Sequence, residues 1–319
     1  MTSVSIDPRV RVTTAALDQE GPVLLATKPF NGLDEPLAIA RWLALREERE
    51  LHVVSVLEPT EGFVAADVSP LSSRFYEAER TALAAQIRRE LEDDGTEADS
   101  LQVHVLEGPS ARTVVDAARE VGARLIVVGT GRHEPIGRYV YGERALEIVG
   151  RADRPVLVVP QGAVAAPLDV AVVAVDFTPA SLRAARAVLP LLAPGGRLVV
   201  VHVKPGLALK HDNVGWWNDP YERDCADRFA QFLRRLGSVP GVTYESQFLR
   251  GDVVPEVVRY AAAQGAGLIA CGRLGHSLLA RVFVGSVSTA LVRQATCPVL
   301  IAPELPSDAA LRQHHPDLL

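Results

Sequence analysis

Short apolar runs alternate along this chain with longer amphipathic stretches. In the second half the runs fall near 169–175, 197–203, 242–249, 267–271 and 298–302. They are rich in Val, Ile, Leu and Ala and stay apolar almost throughout, instead of at every second position. Parallel strands covered on both faces need that pattern. Between them lie helix signals. Thr178 followed by Pro179 predicts a cap and a first-turn proline. Asp219-Pro220 opens a second helix that reaches about Leu236, with Gly237 as its stop. Residues 253–264 and 286–294 supply the third and fourth. The first half repeats the scheme, with Asn31, Ser69 and Pro109 near its helix starts. Five strands alternating with four helices, twice over, predict an α/β protein: two tandem doubly wound domains, each on a five-stranded parallel sheet.

The repetition extends to residue identity. ARLIVVGTGRHEPIGRYVYGERALEIVGRADRPVLVVP (123–160) aligns without a gap with AGLIACGRLGHSLLARVFVGSVSTALVRQATCPVLIAP (266–303). Gly129 then matches Gly272, Gly142 matches Gly285, Pro155 matches Pro298 and, upstream, Gly108 matches Gly251. VLLAT (23–27) corresponds to AVVAV (171–175) at a slightly different offset. Self-similarity at this spacing marks a tandem duplication. The Ala/Gly/Pro-rich stretch QGAVAAPL (161–168) is the junction, which predicts domains 1–164 and 165–319.

One constellation in the second copy carries chemistry. Gly272-Arg273-Leu274-Gly275 is followed by nine residues and then Gly285-Ser286. Gly272 is expected at the carboxyl end of the fourth strand. Ser286 precedes VSTALVRQ, a helical stretch, and is expected to cap it. Free amides at a helix start, together with the helix dipole, attract anions. Gly272 and Gly275 let the backbone approach a phosphate without a Cβ in the way. The first strand ends at Asp176. In open α/β sheets ligands bind at the carboxyl ends of strands where the connection order reverses. If the fourth strand lies beside the first, Asp176 and Gly272 flank that crevice. A carboxylate there can hold a ribose hydroxyl or a metal ion, and the combination points to a nucleotide.

Composition narrows the field further. Of 319 residues, 48% are hydrophobic and 23% charged, which excludes disorder, collagen and coiled coil as overall descriptions. The net charge of −6, from 33 basic against 39 acidic residues, argues against a nucleic-acid-coating role. Cys225, Cys271 and Cys297 are odd in number and far apart, which gives neither a disulfide framework nor zinc-ligand spacing. They indicate a reducing compartment, with Cys271 and Cys297 as core residues of apolar strands. No metal site is expected. The first twenty residues hold no basic start followed by an apolar stretch, so no secretory signal is expected. The low-charge stretch 155–175 is broken by Pro155, Pro160, Gln161, Pro167 and Asp169, and reads as strand, linker, strand instead of a membrane span. The expectation is a soluble, cytoplasmic protein.

The pattern G-x2-G-x9-G-[S/T], behind an apolar strand and ahead of CPVLIAP, resembles the universal stress protein family. The resemblance covers nearly the whole chain as two tandem family domains. AVVAVDFTPAS and RLVVVHVKP are similar to the family's first and second strands. It implies a Rossmann-like fold of the adenine nucleotide alpha hydrolase type. In ATP-binding members the first-strand aspartate and a backbone group after the second strand contact the adenosine, and the glycine motif contacts the phosphates. Carried over, this implies Asp176, Val203, Gly272, Gly275, Gly285 and Ser286 as ATP-binding residues, with or without Mg. Arg273 joins them as a loop cation within reach of phosphate. By the same resemblance PVLVV (155–159) and PVLIA (298–302) lie at sheet edges that join domains. The two halves are then expected to form an internal pseudo-dimer, with a homodimer of whole chains a further option.

The first copy departs from the pattern at the site alone. Arg132 stands at the second glycine position, Glu143 at the serine position and Lys28 at the aspartate position. A carboxylate at the helix start satisfies the dipole and repels phosphate. The expectation is that the first half binds no ATP and fills its own pocket, with Glu143 paired to Arg132 or Lys28.

Other features have plainer readings. Asp176 is also suited to bonding nearby amides in a turn. His276 reads as an exposed loop residue, and Arg281, like Arg273, serves equally as a phosphate partner or a surface charge. Trp216-Trp217, Tyr139 and Tyr141 read as packing residues, and His314-His315 as part of a polar tail. Micromolar ATP affinity needs about −8 kcal/mol. An exposed helix terminus offers only about 0.3–1 kcal/mol, so a buried adenine pocket is required as well. The reading reached is a nucleotide-binding regulatory or stress protein without dedicated catalysis. A P-loop lysine motif and a G-x-S-x-G elbow are both absent. A slow ATP hydrolase and a ligand-free interaction scaffold are the alternatives.

Overall fold

Strand pairing in the computed structural model follows the duplicated sequence. The structure describes residues 20–27, 34–58, 70–93, 101–130, 142–204, 220–273 and 285–305. Gly275, Arg132, Lys28, His276, Arg281, Trp216, Trp217, Tyr139, Tyr141, His314 and His315 lie outside them. The chain divides into two units, Gln19–Ala166 and a second containing Pro167–Leu319.

The first unit runs β1 (Val23–Thr27), α1 (Asp34–Arg46), β2 (Leu51–Leu57), α2 (Pro70–Asp93), β3 (Leu101–Glu107), α3 (Ser110–Glu120), β4 (Leu125–Gly129), α4 (Glu143–Arg151) and β5 (Val156–Val159). The second runs β6 (Leu168–Ala174), α5 (Pro179–Val188), a 3₁₀ turn at Leu189–Leu191, β7 (Leu192–Lys204), α6 (Pro220–Leu236), β8 (Thr243–Arg250), α7 (Val253–Ala263), β9 (Leu268–Gly272), α8 (Ser286–Gln294) and β10 (Val299–Ala302). The strand orders are β3-β2-β1-β4-β5 and β10-β9-β6-β7-β8, with parallel pairing at each described ladder. Both are doubly wound: the chain moves outward from the first strand, then returns to its other side. The reversal lies between β1 and β4, and between β6 and β9.

The central strands are apolar because nothing around them is wet. Ala171, Val172 and Val173 are fully buried, as are Leu198 to Val201. In the second unit α5 packs on β6, β9 and β10, while α7 packs on β6 to β9. Each fully buried Val or Leu side chain contributes about 1.5–3 kcal/mol. Strand β8 is the exception. Its sequence TYESQFLR is half-buried along most of its length, as suits the last strand of the order. Strand β7 starts earlier than its apolar run suggests, at Leu192, because the Gly195 N–H bonds the Gly241 carbonyl at 2.7 Å and extends the pairing. Helix α1 is described from Asp34, and Asn31, near which a helix start was expected, lies outside the described residues. Cys271 lies on β9 and Cys225 on α6, both buried. Cys297 precedes β10 and is only half-buried, so it is not the strand residue expected. Among the described residues no helix is long and apolar enough to cross a membrane. Nor is any group of three or more His, Cys, Asp or Glu arranged to hold a metal ion.

One polar cluster interrupts the first unit's core. His52 of β2 and His104 of β3 stack with ring centroids 5.1 Å apart. His52 Nε2 lies 3.2 Å from Glu50 Oε2, and Nδ1 lies 3.0 Å from His104 Nε2. A carboxylate only accepts, so Nε2 of His52 carries the proton and Nδ1 receives one from His104. Burial, then the neighbouring His52, hold the His104 pKa below its ordinary value, against the pull of Glu120. The unfolded chain therefore takes up a proton that the folded chain resists. Stability present above the ordinary histidine pKa of about 6.5 is lost as the pH falls through and below it. We expect a lower thermal midpoint at pH 5.5 than at pH 7.5, and a smaller difference in His104→Asn. Equal slopes in the two proteins would exclude this cluster as a source.

Candidate functional site

The crevice at the second unit's reversal is bounded by the ends of β6 and β9, which pair in register from Ala171↔Leu268 to Ala174↔Cys271. This puts Asp176 and Gly272 on neighbouring strand ends, as the alternation of elements predicted. Asp176 is exposed. Its Oδ1 accepts from the Thr178 N–H at 3.2 Å and from the Thr178 hydroxyl at 2.6 Å. Thr178 Oγ1 in turn accepts from the Ser181 N–H, which makes Thr178 the cap of α5 with Pro179 at its first position. The turn role and an outward role thus use different oxygens: Oδ1 serves the turn, and Oδ2 has no partner among the described residues.

Phe177 follows with φ of 64°, a left-handed backbone that bulky residues rarely adopt. Such a conformation costs about 1–3 kcal/mol and persists where the surroundings over-determine it. Here they do. The Phe177 ring is buried and meets Phe229 edge-on at 5.2 Å, Phe232 at 6.3 Å and the His202 imidazole at 4.8 Å. His202 Nδ1 donates to the Val175 carbonyl at 2.7 Å. Burial, outweighing the Val175 bond and the Asp176 charge, holds the His202 pKa below its ordinary value.

The β6–β7 ladder ends with the Val175 N–H bonded to the Val201 carbonyl. The Val175 carbonyl is occupied by His202, and no bond from the Val203 N–H to it is made among the described residues. Below the turn, Cys271 is fully buried. Burial, with the Asp176 charge, pushes its thiol up to about 12.

Gly272 serves a packing role that spacing alone did not reveal. A Cβ on it would lie 2.6 Å from the Ser181 nitrogen and 2.8 Å from the Ala180 carbonyl carbon. The first turn of α5 therefore rests directly on the end of β9. Arg273 is half-buried and its N–H donates to the Ala302 carbonyl at 2.7 Å. Ser286 is not the cap expected of it. It is the first helical residue, and Gly285 (φ −55°, ψ 149°) occupies the cap position with no side-chain bond to the helix. The Ser288 hydroxyl donates to the Gly285 carbonyl at 3.0 Å, so it takes none of the free amides. Among the described residues no side chain accepts from the start of α8.

The first unit's counterpart differs in detail. Gly142 caps α4 in a left-handed conformation (φ 81°, ψ 12°), and Glu143 is an exposed first residue. The partners expected for Glu143, Arg132 and Lys28, lie outside the described residues. An ion pair that sequence reasoning missed runs from α4 to the end of β2: Arg144 donates to Glu58 at 2.7 Å. Since β1 separates β2 from β4, this pair reaches across the carboxyl edge at the first unit's reversal. The matching second-copy residues are Val287 and Pro205, which cannot form it.

A family model described as the universal stress protein family matches residues 21–160 and again 168–303. The chain belongs to the universal stress protein family. Among curated relatives, universal stress protein MJ0531 of Methanocaldococcus jannaschii is 32% identical over 69 residues, and YxiE of Bacillus subtilis is 38% identical over 61. These alignments take in 22% and 19% of this chain and span only 41% of each relative's length. A crystal structure of a universal stress protein from Archaeoglobus fulgidus superposes with a TM-score of 0.62 at 16% identity, covering 88% of this chain and 98% of that one. A Pseudomonas aeruginosa protein of the same description gives 0.60 at 16% identity, covering 94% and 99%. At such identities the structural likeness speaks for the fold, which is two tandem Rossmann-like universal stress protein domains.

The close approach at Gly272 generates a test. Gly272→Ala is expected to destabilise the second unit by about 1–3 kcal/mol, because the methyl group meets backbone atoms that cannot swing aside. A urea midpoint that falls at unchanged slope would show it. An unchanged midpoint would mean that α5 can retreat freely.

Proposed function

We propose that the second domain binds ATP at the β6–β9 crevice and that the protein has a regulatory or stress-response role without dedicated catalysis. The observation that carries this reading is the bare start of α8. Its cap position is a glycine, no side chain among the described residues occupies its first amides, and it follows β9, whose end lies beside Asp176. Asp176 Oδ2 would accept a ribose hydroxyl and the Val203 backbone would meet the adenosine. Gly272, Arg273, Gly275, Gly285 and Ser286 would hold the phosphates. The residues fit the group: a free carboxylate oxygen, unoccupied amides and a nearby cation are what a nucleotide needs. When bound, ATP supplies negative charge that these amides and Arg273 compensate. Mg is an accompanying option, with Asp176 Oδ2 as the protein's oxygen for it.

The first domain is proposed to bind no ATP. Glu143 at the start of α4 disfavours phosphate; its expected partners Arg132 and Lys28 lie outside the described residues. Calorimetry on the full chain is expected to give one ATP per chain. Asp176→Ala should weaken binding about tenfold, on the order of one charge-assisted hydrogen bond. Glu58→Ala should leave both stoichiometry and affinity unchanged. Two ATP per chain would overturn the asymmetry. No binding up to millimolar ATP would leave a ligand-free scaffold, and steady turnover lost in Asp176→Ala would make the protein a hydrolase.

A further inference from the structure

The turn that presents Asp176 is held from outside its own segment. Val175 ends its strand with its carbonyl bonded to His202 Nδ1 at 2.7 Å. Phe177 sits at φ 64° with its ring against the same imidazole at 4.8 Å. One side chain thus touches both neighbours of Asp176, a hydrogen bond on one side and a ring face on the other. We propose that His202 is a positioning residue that holds the Val175–Phe177 turn in its left-handed form and so presents Asp176 and the Val203 backbone to the ligand. The last clause rests on the nucleotide reading above; the hold on the turn does not.

Three further observations point the same way. First, the Val175 carbonyl, where the next ladder bond would come from the Val203 N–H, accepts from the imidazole, and no Val203 bond to it is made among the described residues. Second, the remaining clamp on Phe177 is apolar, from Phe229 and Phe232, and supplies no hydrogen bond to the turn. His202 is therefore the side chain that fixes the peptide as well as the ring. Third, the duplicated copy is an internal comparison. The position matching His202 is Ser55, buried, with its hydroxyl unpartnered. A hydroxymethyl group is too short to reach a neighbouring strand's carbonyl as an imidazole does. The position matching Phe177 is Pro29, whose ring restricts φ to about −65° and forbids the left-handed value. The copy without the histidine also lacks a residue able to make the turn.

A carbonyl only accepts, so Nδ1 of His202 carries a proton. The depressed pKa of His202 keeps the imidazole uncharged at neutral pH.

The test compares wild type, His202→Leu and His202→Asn as full chains. Asn places its amide Nδ2 near the position of Nδ1 and restores the donor without the ring. Amide hydrogen exchange is read at Phe177 and Thr178 in the absence of nucleotide, and ATP affinity by calorimetry. Leu is expected to speed exchange at both amides about tenfold and weaken ATP about tenfold, the scale of one lost hydrogen bond. Asn is expected to recover most of both. Exchange in Leu equal to wild type overturns the proposal, as does Asn behaving like Leu in a folded protein. Far-ultraviolet circular dichroism confirms folding, and if Leu does not fold the Asn protein alone decides by its exchange rates. If wild type takes up no ATP, the nucleotide reading fails while the exchange rates still decide the role of His202.

Discussion

Each unit depends on one constraint. A parallel strand buried on both faces can be reached only by a crossover; one crossover leaves the central strand for one side, a later one brings the chain back to its other side, and the two diverge at its carboxyl end. The split between β6 and β9 follows from it, and so does the one between β1 and β4. Apolar runs such as VAVVA are the sequence's share of the bargain. The crevice is a by-product of topology, present whether or not a ligand uses it. The fold explains where a site can be, and the edge residues decide whether there is one.

The two copies show how far edge residues can diverge over an unchanged frame. Val23 to Ala26 and Ala171 to Ala174 are equally buried, and β4 and β9 pair with them in the same way. Above that frame little is kept. The second copy has aspartate, a left-handed phenylalanine, histidine and a helix start capped by glycine. The first has lysine, proline, serine and a glutamate, with an arginine–glutamate pair reaching across its edge.

Much of this was readable in the sequence. The gapless match between 123–160 and 266–303 announced the duplication, and continuous apolar runs announced parallel strands. Thr178-Pro179 was a helix start that the Ser181 amide bears out. What escaped reading was set by geometry between distant segments. Gly272 looks like a phosphate-loop glycine, yet its missing Cβ makes room for Ser181, ninety-one residues earlier by number (272 − 181). Ser286 looks like a cap, but the cap position fell one residue earlier, on Gly285. The φ of Phe177 has no signature in residue type. The one available hint was the polar His202 inside VVVHV, since a buried histidine must find a partner. Arg144 and Glu58 lie 86 residues apart and meet only because β1 and β4 are neighbours.

The sulfur atom beneath the crevice has its own consequence. Cys271 lies buried at the end of β9, beside the β6–β9 crevice. With its pKa pushed up to about 12 by burial, it stays a thiol at neutral pH, and only the thiolate attacks peroxides or electrophiles. Cys225 is buried, and burial raises the Cys297 pKa as well. The chemistry of sulfur is thereby silenced around the crevice, and an oxidising cell would find no handle there by which to alter it.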